Sequence, residues 1–381
     1  MHDVTVSVWN RFWSFQLISG LTRGGFAVRA LGTTRKVPDA ASYQCCWLAA
    51  LCTQLIHRFP KHKDRFIELA LLQYEEFAAR RTGGSRCFWG WSNGHLAAFK
   101  KARAAGIPVI LETGSTHVRW MQKKLRDEYE LRGIQHKDSL LDRRAPGMVA
   151  EYELADRICV PSRFVARTFM ENGIPEAKLH VNAYGADVSF WSECRREPHP
   201  GRKPFVFVYT AQIMLRKGIG YLVDAWKHLG DADAELWLIG GVNPDCQGLL
   251  RDLPSSVRLL GGKNHTELRE IYAKADVYVL PSLEEGLARS VLEAMAAGLP
   301  VIVTEETGAT DVMVNGEDGW AVPSRNPEAL AEAFRSALQN PEKAFERGKS
   351  ARCRVQMFSW KSYGQRAAAF LGEVLGKPTA R

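Results

Sequence analysis

Short apolar runs rich in β-branched residues alternate with amphipathic stretches along the whole chain, and this alternation predicts strands and helices in turn. Strands are expected at 4–8, 28–32, 88–91, 109–112, 158–160 and 179–182, then at 205–210, 236–240, 257–260, 277–280 and 301–303. Runs such as 277–280 are apolar throughout, as in a parallel sheet covered by helices on both faces. Helical periodicity fills the intervals, for example at 220–229 and 267–275. The segment CRREPHPGRK, 194–203, is polar, basic and proline-bearing and reads as a linker. The pattern therefore predicts an α/β protein with two doubly wound parallel-sheet domains, 1–193 and 204–360, that face a ligand cleft. A last helix is expected in 361–381, placed to cross back to the first domain.

The stretch DVYVLPSLEEGLARSVLEAMAAGLPVIVT, 276–304, is the most informative. It reads as strand, loop, helix and strand, with the helix running from about Gly286 and stopped by Gly298. Its loop lies at the C-terminal end of a strand, where open parallel sheets bind ligands, and Glu285 sits in that loop. Glu293 lies among Val291, Leu292, Ala294, Met295, Ala296 and Ala297. Burial there demands a hydrogen-bond donor as partner. Eight residues separate the two glutamates, roughly 12 Å if the loop continues the helix axis, on the order of the span from ribose to hexose in a nucleotide sugar. The free N–H groups and positive end of the helix between them suit a diphosphate. An ordinary helix start with acidic residues and a solvated Glu293 is the competing reading.

Other strand ends carry weaker signals. Lys217-Gly218 opens a helix after the strand at 205–210, a natural place to meet phosphate. Gly240-Gly241 either lets backbone approach a ligand or makes a turn. The strand PVILE leads into TGSTH, so His117 stands at a cleft-side strand end, where a neutral imidazole can donate or accept. Asp231 and Asp233 lie away from the ligand edge and offer too few oxygens for a metal site.

Composition narrows the classes further. At 381 residues two domains are expected, and with 46% hydrophobic residues and no low-complexity tract the chain is expected to be globular throughout. No window approaches about eighteen uninterrupted apolar residues, so no transmembrane helix is expected. The beginning, MHDVTVSVWNRFWSF, lacks a basic n-region and a cleavage site, which points to the cytoplasm. Eight cysteines without C-x-x-C spacing read as free thiols. The net charge of +9 is concentrated: residues 1–193 hold 27 Lys or Arg against 19 Asp or Glu, and 194–381 hold 24 against 23. Nothing resembles a nucleic-acid motif. Within 117–133, Arg119, Lys123, Lys124 and Arg126 flank Trp120, Met121 and Leu125. That pattern fits a core-packing helix with a solvated face, or a peripheral contact with an anionic membrane at its inner surface.

From about Phe205 to Trp360 the chain resembles the retaining glycosyltransferases of family 4, which have the GT-B fold of two Rossmann-like domains. The likeness rests on Lys217-Gly218, on PSLEEGLARSVLEAMAAGLPVIVT, on TGATDVMVNGEDGWAV at 307–322 and on FSW at 358–360. The first half is similar more loosely, through EYELADRICVPSRFVARTF and NAYGADVSF. The resemblance implies transfer of a hexose from a nucleoside diphosphate sugar to a glycan or lipid-linked hydroxyl, with retention and without a metal or other cofactor. It implies Glu285 near the transferred sugar, Glu293 on the ribose, Lys217 on the diphosphate, His117 near the donor sugar, and the backbone of Gly286, Leu287 and Ala288 completing the cradle, with Gly241 at the donor edge. Three departures stand out. Gln212 occupies the place of a phosphate-binding arginine, with Arg216 as a substitute; NRFWSF replaces the usual glycine pair after the first strand; and Ala288 replaces a glycine. A nucleotide-sugar epimerase or sugar phosphorylase of the same fold, and a non-catalytic sugar-nucleotide-binding module, are the alternatives.

Overall fold

The computed structural model describes residues 1–9, 13–33, 37–135, 139–198, 204–230 and 232–377. In the first half the order is β1 (His2–Ser7), α1 (Ser14–Arg23), β2 (Val28–Gly32), β3 (Ser42–Cys45), α2 (Trp47–Arg58), α3 (Lys63–Ala79), β4 (Ser85–Trp91), α4 (Leu96–Ala104), β5 (Val109–Glu112), α5 (Val118–Leu131), α6 (Leu140–Leu154), β6 (Arg157–Val160), α7 (Arg163–Met170), β7 (Leu179–Val181) and α8 (Val188–Ser192). The second half continues with β8 (Phe205–Thr210), α9 (Ile219–Leu229), β9 (Ala234–Ile239), β10 (Val257–Gly261), α10 (His265–Lys274), β11 (Val277–Leu280), α11 (Arg289–Ala296), β12 (Val301–Thr304), β13 (Gly319–Val322), α12 (Pro327–Gln339), α13 (Pro341–Arg354) and α14 (Trp360–Val374).

The strands form two parallel sheets, ordered β3-β2-β1-β4-β5-β6-β7 and β10-β9-β8-β11-β12-β13. Alternation sends neighbouring residues of one strand to opposite sides: Cys87 and Trp89 join one core, and Phe88 between them joins the other. Strand order reverses between β1 and β4 and again between β8 and β11, so each sheet opens a crevice at the C-terminal ends of those strands. In the second sheet, β8 and β11 deliver the Lys217 loop and the Glu285 loop side by side.

Two strands were not anticipated from the sequence. β3, SYQC, is an edge strand with mixed burial, and β13, GWAV, begins on a glycine, so neither shows an apolar run. The expected helix from Gly286 starts three residues later, at Arg289, with Gly286 pressed on the opposite domain. Asp231, the segment 199–203 of the linker and Asn10 to Phe12 of NRFWSF lie outside the described residues.

α14 packs on α1 of the first domain, and the crossing is close: a Cβ on Gly20 would collide with the backbone of Gly364. Tyr363 Oη donates to Glu112 (3.0 Å), Arg366 donates to Asn182 and the Ala183 carbonyl, and Lys377 meets Asp3 (2.8 Å). α5 runs between the domains. Its buried Glu128 accepts from Tyr221 Oη (2.9 Å) and Arg325 Nε (3.0 Å), both of the second domain, and Lys124 pairs with Glu306 (2.6 Å). Met121 is buried and Trp120 packs on Phe164. The apolar stripe of 117–133 therefore packs within the first domain, as in the core-packing reading, while the polar side chains Lys124 and Glu128 reach the second domain. No helix among the described residues is long and apolar enough to cross a membrane.

Candidate active site

The loop after β8 tightens into a single turn, Leu215–Lys217, closed by Gly218 at φ 71° before α9 begins. Glycine is required twice over at this point, by the left-handed backbone and by the Pro281 carbonyl oxygen, into which a Cβ would run. The Leu283 amide donates to the Arg216 carbonyl (2.9 Å), so the loops after β8 and β11 are held together through backbone. Side chains follow the same path. Lys217 is ion-paired with Glu285, and Arg216 Nη1 donates to Glu284 Oε2 (2.7 Å) while lying 3.8 Å from Glu285.

Burial and the neighbouring Arg216 guanidinium pull the Lys217 ammonium down to about 7, with Glu284 opposing. Burial raises Glu284, but Arg216 and the hydrogen bonds of Thr116 outweigh it and hold the carboxyl below its ordinary value. An anion arriving here meets two cations whose present partners are carboxylates, so it must displace Glu285 from Lys217.

Glu293 lies on α11, partly buried, and its carboxylate makes no hydrogen bond or ion pair among the described residues. Burial raises its carboxyl, with Arg289 and His265 opposing. A partly buried acceptor pair without donors is suited to the two hydroxyls of a ribose. Ala288 caps α11 without any side-chain hydrogen bond, which leaves the first amides of that helix to other acceptors. Leu287 and Ala288 are buried. Gly286 touches the first domain: a Cβ there would strike the Gly114 carbonyl, and Ser162 Oγ donates to the Gly286 carbonyl (2.7 Å).

Across the cleft, the loop after β5 contributes Thr116. Thr116 N–H (3.1 Å) and Oγ1 (2.9 Å) both donate to Glu284 Oε1. His117, only 1% exposed, caps α5 by accepting from the Arg119 amide (3.3 Å), and its ring packs on Tyr152 and Phe169. Burial first, then Arg119, lowers its pKa to about 4, so it stays neutral. Its aromatic neighbours come from α6 and α7, so His117 stands at the base of the loop with Nδ1 turned to the start of α5. Gln212 is exposed and engages through its backbone carbonyl, which accepts from Tyr209 Oη, while its side chain makes no hydrogen bond among the described residues. Of the glycine pair, Gly240 is the constrained one, against the Ala211 carbonyl, and Gly241 has open space. In place of a glycine pair after β1, the Trp13 ring packs beside Gly114 and its indole N–H donates to the buried Glu112 (2.9 Å).

Glu284, Thr116 and Ser162 are the residues that the sequence did not single out. Glu284 had a signal, the doubled glutamate, but its partner is 168 positions away.

Comparison with known proteins places this geometry. Residues 192–354 match the model of the glycosyl transferases group 1. The chain is 29% identical over 199 residues to a glycogen synthase of Mycobacterium tuberculosis, covering 49% of this chain and 46% of that one. It is 29% identical over 201 residues to the amylovoran biosynthesis glycosyltransferase AmsK of Erwinia amylovora, covering 49% and 47%. The matched stretch thus spans about half the length of these curated relatives. Among solved structures, Anabaena HepE in complex with UDP superposes over 97% of this chain and 100% of its own, with a TM-score of 0.68 at 14% identity, which shows the shared GT-B architecture.

Proposed function

We propose that the protein moves a hexose from a nucleoside diphosphate sugar to a hydroxyl acceptor, with retention, in the synthesis of a polysaccharide or glycolipid, a reading supported by the match of residues 192–354 to the glycosyl transferases group 1. The observation that carries this reading is the convergence at one strand-order reversal of Lys217, Arg216, the uncapped start of α11, Glu285 and the unpartnered Glu293. Each matches one part of such a donor. The α11 amides and the two cations take the diphosphate, Glu293 takes the ribose, and Glu285 faces the sugar.

In the step proposed, the anomeric carbon–oxygen bond to the β-phosphate breaks and a bond to the acceptor oxygen forms on the same face. The acceptor proton passes to the departing phosphate. Lys217, Arg216 and the helix start offset the charge that develops on that leaving group. These positive groups belong to the chain itself, so the transfer is proposed to proceed without a metal. His117 supports the loop that carries Thr116 and, as a neutral imidazole, stands beside the donor sugar as a hydrogen-bonding group.

The acceptor side is assigned to the first domain, with peripheral contact to an anionic membrane from the cytoplasmic side. Exposed apolar residues gather on the α2–α3 hairpin: Trp47, Leu48, Leu51, Phe59, Leu69 and Leu72. Arg58, Lys61, Lys63 and Arg65 at its turn are exposed and without an ion-pair partner among the described residues. Apolar anchors beside unpaired cations suit an anionic lipid surface and a lipid-linked acceptor.

The test is nucleoside diphosphate release from UDP-, GDP- and ADP-hexoses, with and without a glycan or lipid-linked hydroxyl. Release that rises with acceptor supports transfer. Interconversion of the sugar without release indicates an epimerase, and binding without turnover a non-catalytic module.

A further inference from the structure

Glu284 is fully buried and its two oxygens are divided between the domains. Oε2 accepts from Arg216 of the donor domain at 2.7 Å; Oε1 accepts from the amide and hydroxyl of Thr116, in the first domain, at 3.1 and 2.9 Å. A buried carboxylate is tolerated only with such donors, and half of them leave if the domains separate. Thr116 directly precedes His117, the cap of the fourteen-residue α5, so its position is tied to that helix. Arg216, in turn, is the cation standing in for the absent arginine at Gln212, and its guanidinium has Glu284 as its nearer carboxylate and Glu285 at 3.8 Å.

We propose that Glu284 is a positioning residue that aims Arg216 at the donor diphosphate and is completed by Thr116 only when the domains close, so that donor binding and closure share one carboxylate. The inference rests on the donor-site reading above. It differs from a packing role in what it predicts. In a closed protein the Arg216–Glu284–Thr116 line is fixed at both ends. In an open one, Glu284 gains water in place of Thr116 and holds Arg216 from one side only. Closure therefore sharpens the cradle, and a bound diphosphate, by fixing Arg216, favours closure in return.

Two substitutions separate the halves. Thr116→Val removes the hydroxyl donor and keeps the backbone. Affinity for the nucleoside diphosphate, measured by calorimetry, is expected to fall severalfold, the part that closure lends it, while kcat falls about tenfold, the scale of one hydrogen bond to a charged group. Thr116→Ser is expected to restore kcat. Glu284→Gln, which no longer offers Arg216 a charge, is expected to weaken diphosphate binding about tenfold as well. Small-angle scattering supplies the readout that does not depend on turnover: the Thr116→Val protein is expected to be more extended than the wild type, and the Ser variant not. Equal kcat in the Val and Ser variants, or unchanged diphosphate affinity in Glu284→Gln, overturns the proposal. If the wild type binds no nucleoside diphosphate, the transferase reading fails, and scattering alone decides: identical profiles for wild type and Thr116→Val then refute the tether.

Discussion

Lys217 is the residue whose chemistry is most tightly set by its surroundings. Its ammonium, drawn down to about 7 by burial and Arg216, is cationic below that pH and increasingly neutral above it. A nucleoside diphosphate sugar binds the cation, so each binding event above the transition must take up a proton. Affinity is expected to hold steady from about pH 6 to 7 and then to fall by roughly tenfold per unit toward pH 9, with proton uptake visible as a buffer-dependent binding heat. Calorimetry in two buffers checks it, and a flat profile contradicts it. The paired glutamates are expected to divide: Glu293→Gln weakens binding of the free nucleoside diphosphate, and Glu285→Gln spares it while lowering transfer. Equal loss of affinity in both variants would remove the ribose assignment. At this scale Lys217, Glu285 and Glu293 were legible because they lie within short local patterns. The Glu284–Thr116 bond was not, because a hydrogen bond across two domains leaves no periodicity in either segment. His117 was placed by its strand end, but its packing on Tyr152 and Phe169 comes from distant helices, which no local pattern announces.

At the scale of elements, two glycines make the loops around the site possible and do so differently. Gly218 is caught inside one domain, between a left-handed backbone and the Pro281 carbonyl, so Gly218→Ala has no relief except by loosening the cradle. It is expected to lower stability by about 1–3 kcal/mol. Gly286 meets an obstacle across the cleft, the Gly114 carbonyl, which opening of the domains removes. Gly286→Ala is expected to leave the melting temperature nearly unchanged and to lower kcat by preventing closure. Thermal unfolding of the two variants side by side distinguishes them; a comparable loss of stability in both contradicts the closed contact. Most strands were readable, since full burial on both faces demands apolar runs, as in FVFVY of β8 and VYVL of β11. The edge strand β3 was not, because half of it faces outward and keeps polar residues. α5 carried a true amphipathic signal with an ambiguous address: Trp120 packs on Phe164 of its own domain, and Lys124 pairs with Glu306 of the other.

For the whole molecule, the uneven charge finds a place. The first domain carries the surplus cations, and at the α2–α3 turn Arg58, Lys61, Lys63 and Arg65 stand beside exposed Phe59. Sedimentation is expected to favour anionic over neutral vesicles at low salt, and to lose that preference near 1 M salt, where the screening length is about 3 Å. Replacing Leu48 and Leu51 with serine is expected to weaken the association; equal pelleting with both vesicle types at low salt would favour a soluble acceptor. α14 crosses back to the first domain and ends at Lys377–Asp3, so the two domains are joined at the centre by Glu284 and at the back by this helix. The central claim is that the junction of β8 and β11 is a nucleotide-sugar site, and it is tested most directly by thermal unfolding of the wild type and of Lys217→Ala with UDP, GDP and ADP in turn. One diphosphate at about 100 times its dissociation constant is expected to stabilise the wild type by roughly 2.7 kcal/mol and the variant far less. No stabilisation by any of the three, or an equal effect on both proteins, would contradict it.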